Sequence, residues 1–421
     1  MIETRIEQTY AEAVERYGEL GVKVEEVLAA LSKVRLSLHC WQGDDVGGFE
    51  TKNGDLSGSG LAVTGFFPGK ARSLDELRAD LDAALAVIPG KHRVNLHAMY
   101  GDFGGRTVER DEIDAAHFAS WIDWARERGL GLDFNATCFG HPKADQGTLT
   151  HPNPDARAFW VRHVQACRSI SEAFGKELGT PCLHNLWIPD GEKDVPASRL
   201  ARRERLLASL DEIYAQRFKP EWMKDSVECK LFGIGSEAFV AGSHEFYLCW
   251  ALKNRTLLCL DMGHFHPTES VADKLSALLP FFPELLVHVS RGLRWDSDHV
   301  VIQNEELSDL MLEIVRSDTL NRVHLALDYF DASLNRVGAW AVGTRAALRT
   351  LLFALLEPKE RITRHENEGD LFARLAWREE AKALPFGAVW NMHCLRQGAP
   401  VGGEWIEMVQ AYGCKVARER G

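Results

Sequence analysis

Thr256-Leu-Leu-Cys-Leu-Asp-Met-Gly-His-Phe265 is an apolar run that ends on a carboxylate, a glycine and a histidine. Its length and composition suit a buried strand. Asp261 and His264 fall at its carboxyl end, and Gly263 between them lets the backbone turn so that both can face one cavity. They are candidate metal ligands. Counting this one, eight such runs recur through the first four-fifths of the chain, at 35–41, 93–100, 129–138, 181–189, 225–235, 256–265, 285–290 and 322–330. Segments of helical period lie between most of them, at 73–88, 111–128, 155–177, 201–217, 268–279, 305–316 and 339–356, with Ser73 and Asp155 as expected N-caps.

Strand and helix in alternation imply right-handed βαβ units, and eight strands is the number that closes an α/β (β/α)₈ TIM barrel. A doubly wound open sheet is the structural rival. Polar residues decide between them, because barrel enzymes draw their chemistry from the carboxyl ends of several strands. Here Asn95-Leu-His97, His184-Asn-Leu-Trp187, Glu228-Cys-Lys230, His288 and Asp328 all sit at such ends. The barrel is the expected fold, spanning 35–356, with extra N-terminal helices over 1–34 and C-terminal helices over 357–421. The leading helical segment is expected at 4–31 and two more stretches beyond Glu357. Leu371, Leu375, Trp390 and Trp405 in the C-terminal extension need a partner surface, either the barrel or another subunit. The glycine-rich segment 43–70, with Phe66 and Phe67, reads as a long loop that could close over a substrate.

The chain has 421 residues, 45% hydrophobic and 26% charged, enough to bury a large core. Acidic residues outnumber basic ones by 61 to 49, and the net charge of −12 disfavours nucleic acid and anionic membranes as partners. The first ten residues lack an apolar signal core, so a cytoplasmic protein is expected. Nine cysteines without a C-x-x-C pair indicate neither a zinc ribbon nor a redox motif; Cys40, Cys138, Cys182, Cys229 and Cys259 read as buried thiols.

Asp296 and Asp298 alternate in Arg294-Trp-Asp-Ser-Asp-His299, which puts both carboxylates on one side of an extended segment, where they repel unless a cation lies between them. Glu228 and Lys230 likewise share one face of their strand. An inward-facing buried ion pair adds little stability, so an interior position needs a functional reason. Sorting by ligand type gives Glu228, Asp261, His288 and Asp328 as one group and His264, Asp296 and Asp298 as another. Oxygen-rich sites with one imidazole suit Mn²⁺, Mg²⁺ or Co²⁺, with Zn²⁺ an alternative, and two neighbouring metals are expected.

Three other patterns compete. Gly65-Phe-Phe-Pro-Gly-Lys-Ala71 has the wrong spacing for a phosphate loop and lacks its hydroxyl residue. Gly233-Ile-Gly-Ser-Glu-Ala238 matches a loose dinucleotide pattern, but the strand before it carries Glu228 and Lys230 where an apolar run belongs. His264-Phe-His266 has the H-x-H spacing of metal-dependent hydrolases on the sixth strand rather than the first.

His39-Cys-Trp-Gln-Gly-Asp-Asp45, Gly263-His-Phe-His-Pro-Thr268 and Arg294-Trp-Asp-Ser-Asp-His299 together make the chain resemble bacterial L-rhamnose isomerases. Leu132-Asp-Phe-Asn135, Trp187-Ile-Pro-Asp-Gly191, Lys230-Leu-Phe-Gly-Ile-Gly235 and Leu327-Asp-Tyr-Phe-Asp-Ala332 extend the resemblance nearly end to end. It implies a barrel, a homotetramer and a metal-dependent isomerase converting L-rhamnose to L-rhamnulose in cytoplasmic sugar catabolism. It further implies His264, Asp296 and Asp298 as ligands of a catalytic metal and Glu228, Asp261, His288 and Asp328 as ligands of a structural one. On this basis a metal-assisted hydride shift is expected. Lys230 would stabilise charge at O1, Asp328 would hold a proton-relaying water, His97 would assist ring opening, and Trp187 and Glu228 would contact the sugar. A non-catalytic sugar-binding barrel would bind without turnover, and a dehydrogenase would need a nicotinamide and survive chelation.

Overall fold

The strands β1 (Ser37–His39), β2 (Arg93–His97), β3 (Gly131–Asn135), β4 (Cys182–Leu186), β5 (Met223–Glu228), β6 (Leu257–Asp261), β7 (Leu285–Val289) and β8 (Val323–Leu327) are parallel and hydrogen-bonded in chain order. The ring closes where Ser37 of β1 lies opposite Ala326 of β8. This is the expected closed barrel, and the open-sheet rival is ruled out. The computed structural model describes residues 2–50, 65–230, 237–293 and 296–421. Each of the eight sequence runs overlaps a strand; β5 starts two residues ahead of its run, at Met223, and every strand ends before its run does because the polar carboxyl end leaves the ladder to form the site.

The base of the barrel is cross-braced. Asp133 on β3 takes Nε and Nη2 of Arg93 on β2 at 2.9 and 2.8 Å, the hydroxyl of Ser37 on β1 at 2.6 Å, and the backbone N–H of Leu183 on β4 at 2.8 Å. One buried carboxylate thereby ties four strands, with its charge compensated by a bidentate guanidinium.

Helices α1 (Ile2–Gly18) and α2 (Val24–Leu31) precede the barrel. The expected single segment 4–31 is broken at Gly21, whose φ of +83° suits glycine. Helices α3 (Leu74–Leu85), α4 (Ala119–Arg128), α5 (Pro154–Leu178), α6 (Arg199–Ile213), α7 (His244–Asn254), α8 (Val271–Leu278), α9 (Glu305–Arg316) and α10 (Arg336–Leu355) join the strands. Ser73 caps α3 as expected, its hydroxyl accepting from the Glu76 N–H at 3.3 Å. Asp155 does not cap α5. Asn153 does, accepting from Asp155 N–H at 2.8 Å, with Pro154 inside the first turn. The predicted helix 111–128 begins as two 3₁₀ turns because Asp114 caps the second of them at Ala116 N–H.

The sequence reading missed α7. Its aromatic residues Phe246, Tyr247 and Trp250 favour strands, and only Tyr247, Trp250 and Ala251 form the buried helical stripe. Four helices, not two, follow the barrel: α11 (Lys359–Asn367), α12 (Leu371–Glu380), α13 (Phe386–Arg396) and α14 (Glu404–Arg420). Gly369 and Gly398, at φ of +74° and +68°, and Pro385 separate them. Among the described residues no single helix is long and apolar enough to cross a membrane.

Of the glycine-rich segment 43–70, residues 51–64 lie outside the described residues, so the lid reading does too. Residues 233–236 of the dinucleotide-like motif are also outside them. Up to residue 50 the chain after β1 is tightly held. Val46 adopts φ of +66°, a strained conformation for a β-branched residue. Asp44 secures it by accepting from Val46 N–H at 2.8 Å and from Gly48 N–H and the Tyr100 hydroxyl. The result is that Val46 lines the cleft at the carboxyl end of the barrel.

Candidate metal centre

Glu228 ends β5, Asp261 ends β6, His288 lies one residue before the end of β7, and Asp328 follows β8 directly. Pairing of Asp261 opposite His288 and of Glu228 opposite Cys259 brings three of these strand ends side by side. Glu228, Asp261, His288 and Asp328 each offer one ligand atom, and all four atoms lie within 4.8 Å of one another. Nδ1 of His288 is 3.3 Å from Glu228 Oε1, 3.3 Å from Asp328 Oδ2 and 3.7 Å from Asp261 Oδ2.

Each carboxylate in this group is anchored by one oxygen only. Glu228 Oε2 accepts from Asn185 Nδ2 at 2.5 Å, and Asp328 Oδ1 accepts from Trp41 Nε1 at 3.2 Å. Asp261 Oδ1 accepts from the Ser290 hydroxyl at 2.8 Å and the Gly263 N–H at 2.6 Å. The second oxygens converge on His288, and among them Asp261 Oδ2 has no hydrogen-bond partner. Neither ring nitrogen of His288 has one either, although the residue is only 2% exposed. Buried polar atoms left unpaired and aimed at one point are what a cation's ligands require. The donor set therefore fits a divalent metal.

His264 and Asp296 join this group from its open side. His264 Nδ1 is 3.3 Å from Glu228 Oε1, and its Nε2 is 3.4 Å from Asp296 Oδ2. His264 Nδ1 and Asp296 Oδ1 are buried and unpaired. Asp298, at φ of +39°, lines the same cleft. Among the described residues it joins no group of three ligand atoms, although it lines the cleft together with His264 and Asp296.

The electrostatics carry the same message. Burial raises Asp261 to about 7, with Glu228 and Asp328 adding to the rise and His264 and His288 opposing it. Asp298 is pushed well above the usual carboxylate range by burial and by the acidic groups around it. Burial works against charge on His264, yet Asp261, Asp296 and Glu228 carry it up to about 9. Like charges confined together keep protons that they would lose in water.

Of the other expected site residues, His97 lies at the cleft wall, its Nδ1 3.2 Å from the Thr137 hydroxyl. Burial, with Arg110 nearby, lowers it to about 3, so its ring is neutral. Trp187 lines the cleft edge-on to Phe139, with ring centroids 6.0 Å apart. Lys230 is buried behind Trp187 and donates to the Pro189 carbonyl at 2.9 Å and to Glu237 Oε1 at 2.8 Å. Its ammonium lies 5.9 Å from the Trp187 ring centroid. His266, the second histidine of the H-x-H pattern, is exposed and bonds to Thr268.

Sequence reasoning did not single out Trp41, Asn185 or Ser290, which hold the carboxylates of Asp328, Glu228 and Asp261. Trp41 and Asn185 stand at the ends of apolar runs, the same signal that marked the candidate ligands. Phe139 and Phe330 also line the cleft.

A closed parallel barrel with buried carboxylates and imidazoles at its strand ends defines a barrel enzyme whose active end could hold a divalent cation. The chain belongs to the L-rhamnose isomerase family, whose model, described as L-rhamnose isomerase (RhaA), matches residues 4–420. It is 55% identical over 416 residues to an L-rhamnose isomerase of Rhodopirellula baltica, covering 99% of this chain and 97% of that one. To L-rhamnose isomerases of Cronobacter sakazakii and Escherichia coli K12 it is 53% and 50% identical, covering 97% and 99% of this chain and 98% and 100% of theirs. The protein is thus an isomerase of this family, and the dehydrogenase and non-catalytic readings fall away.

Proposed function

We propose that the protein interconverts L-rhamnose and L-rhamnulose by a hydride shift from C2 to C1, with Mn²⁺ as the physiological metal. Family membership supports the substrate. One observation carries the chemistry: the buried carboxylates of Glu228 and Asp261 and the half-buried one of Asp328, each tethered by one oxygen, turn the other toward the same imidazole. Hard oxygen donors with one nitrogen suit Mn²⁺ better than a thiolate-seeking ion, with Zn²⁺, Co²⁺ or Mg²⁺ as alternatives. Glu228, Asp261, His288 and Asp328 would hold a structural ion, and His264, Asp296 and Asp298 a catalytic one. A divalent cation so held supplies chelation of adjacent sugar oxygens and polarisation of the carbonyl.

The chain's own residues do the rest. Neutral His97, with Nδ1 engaged by Thr137, has Nε2 for proton transfer during ring opening. Trp187 covers the apolar face of the sugar and helps exclude water. Lys230 spends two N–H donors on Pro189 and Glu237; with the third it would stabilise charge on the oxygen at C1. Asp328, fixed through Trp41, would orient the water that passes the O2 proton to O1. Hydride and proton together balance the isomerisation. Sugar deuterated at C2 should yield ketose with the label at C1; complete washout into water would replace the hydride route with an ene-diol.

The reading extends to a cytoplasmic homotetramer that opens sugar catabolism. Leu371, Phe372 and Leu375 on α12 support it, being exposed on a helix with no buried residue. The buried thiols Cys40, Cys138, Cys182, Cys229 and Cys259 support a reducing compartment. Sedimentation at equilibrium should return four times the 47.2 kDa chain mass, and a monomer mass would refute the tetramer.

A further inference from the structure

Cys259 precedes Asp261 by two residues on β6, so both side chains point into the barrel and the thiol lies one layer deeper. It stands opposite Glu228 in register. Cys259, Glu228 and His288 each bring a ligand atom within 4.8 Å of the others, and all three residues are buried. Beneath the thiol lies an apolar floor of Leu183, Leu286 and Ala326. His288 is the pivot, because its Nδ1 faces the carboxylates and both its ring nitrogens lack a hydrogen-bond partner. Two ligand groups therefore overlap in Glu228 and His288. They differ in their remaining donors, which are the carboxylates of Asp261 and Asp328 in one group and a sulfur in the other.

We propose that Cys259 is a latent ligand that draws thiophilic divalent ions, such as Zn²⁺ or Cd²⁺, one layer below the position a hard ion takes among Glu228, Asp261, His288 and Asp328. Binding forms a metal–sulfur bond and breaks the S–H bond, with the proton released to solvent. Hard ions such as Mn²⁺ and Mg²⁺ have little affinity for sulfur and stay with the carboxylates. A thiophilic ion at the lower position withdraws from Asp328 and the cleft, so it binds tightly while supporting little turnover. Metal selection then arises inside the barrel rather than at its mouth. This inference rests on the metal-centre reading above.

The test uses full-length protein stripped by chelation, with the exposed Cys249 and Cys414 replaced by serine, and Cd²⁺ alone as probe. Ultraviolet absorbance should show a sulfur-to-metal charge-transfer band that saturates at one ion per chain, and cadmium NMR should show a thiolate-ligated resonance. Cys259→Ser should abolish the band and weaken Cd²⁺ binding by about tenfold or more. Cd²⁺ bound without either sulfur signature overturns the proposal, as does a band that survives Cys259→Ser. The NMR measurement needs no variant at Cys259 and decides the matter even if that variant misfolds. Absence of Mn²⁺ binding and of Mn²⁺-dependent turnover in the unmodified protein would instead refute the metal-centre reading, whatever the sulfur does.

Discussion

Asp261, one of the proposed metal ligands, is costly to the metal-free protein. Its folded-state pKa, raised by burial to about 7, lies above the value near 4 expected when unfolded, so the folded chain binds the proton more tightly. Stability of the chelated protein should therefore rise as pH falls from about 7 toward 4. Asp261→Asn should flatten that slope and raise unfolding free energy at pH 8 in the presence of chelator, read by urea denaturation. In the same variant Mn²⁺ affinity should drop by at least about tenfold, as measured by titration. A variant as weak as the parent without metal would contradict this account. The residues that cluster at the strand ends were legible in the sequence because a carboxylate or imidazole closing an apolar strand is conspicuous. Their orienting partners were not, because Trp41 reaches Asp328 across 287 positions and only ring closure brings them together.

The strands and most helices were legible because burial on both faces leaves continuous apolar runs, and amphipathic helices between them keep a 3.6-residue period. α9 was predicted residue for residue, with Asn304 accepting from Leu307 N–H as its cap. α7 and the broken C-terminal extension were not, since aromatic content masked one period and glycine breaks masked the other. Two elements yield predictions. Glu284, just before β7, bridges Lys224 of β5 and His324 of β8 at 2.5 and 2.6 Å, and these partners, His324 foremost, hold its carboxyl down to about 2. Such a depressed group stabilises fully above about pH 4.5 and loses its effect as pH falls through 2. Glu284→Gln should cost about 1 kcal/mol at pH 7, allowing for solvent screening, with the difference shrinking below pH 4. An unchanged difference at pH 3 would show that the bridge is not responsible. Gly175 within α5 packs directly on the Trp222 carbonyl at the entry to β5, where an added methyl has no room. Gly175→Ala should lower stability by about 3 kcal/mol in urea unfolding, and a neutral result would mean α5 can shift freely.

At the scale of the whole molecule, the barrel converts residues spread from Glu228 to Asp328 into one cluster of like charge, which a cation can neutralise. Ions that bind only the folded form add RT ln(1 + [L]/Kd), about 2.7 kcal/mol at a hundredfold excess over Kd. On the proposed reading, folding, metal loading and turnover are thereby linked. The most direct measurement is turnover of L-rhamnose to ketose by protein stripped with a chelator and then titrated with Mn²⁺. Activity should vanish on stripping and return in proportion to bound metal. Full activity in protein shown by elemental analysis to hold no divalent ion would contradict the role given to Glu228, Asp261, His288 and Asp328.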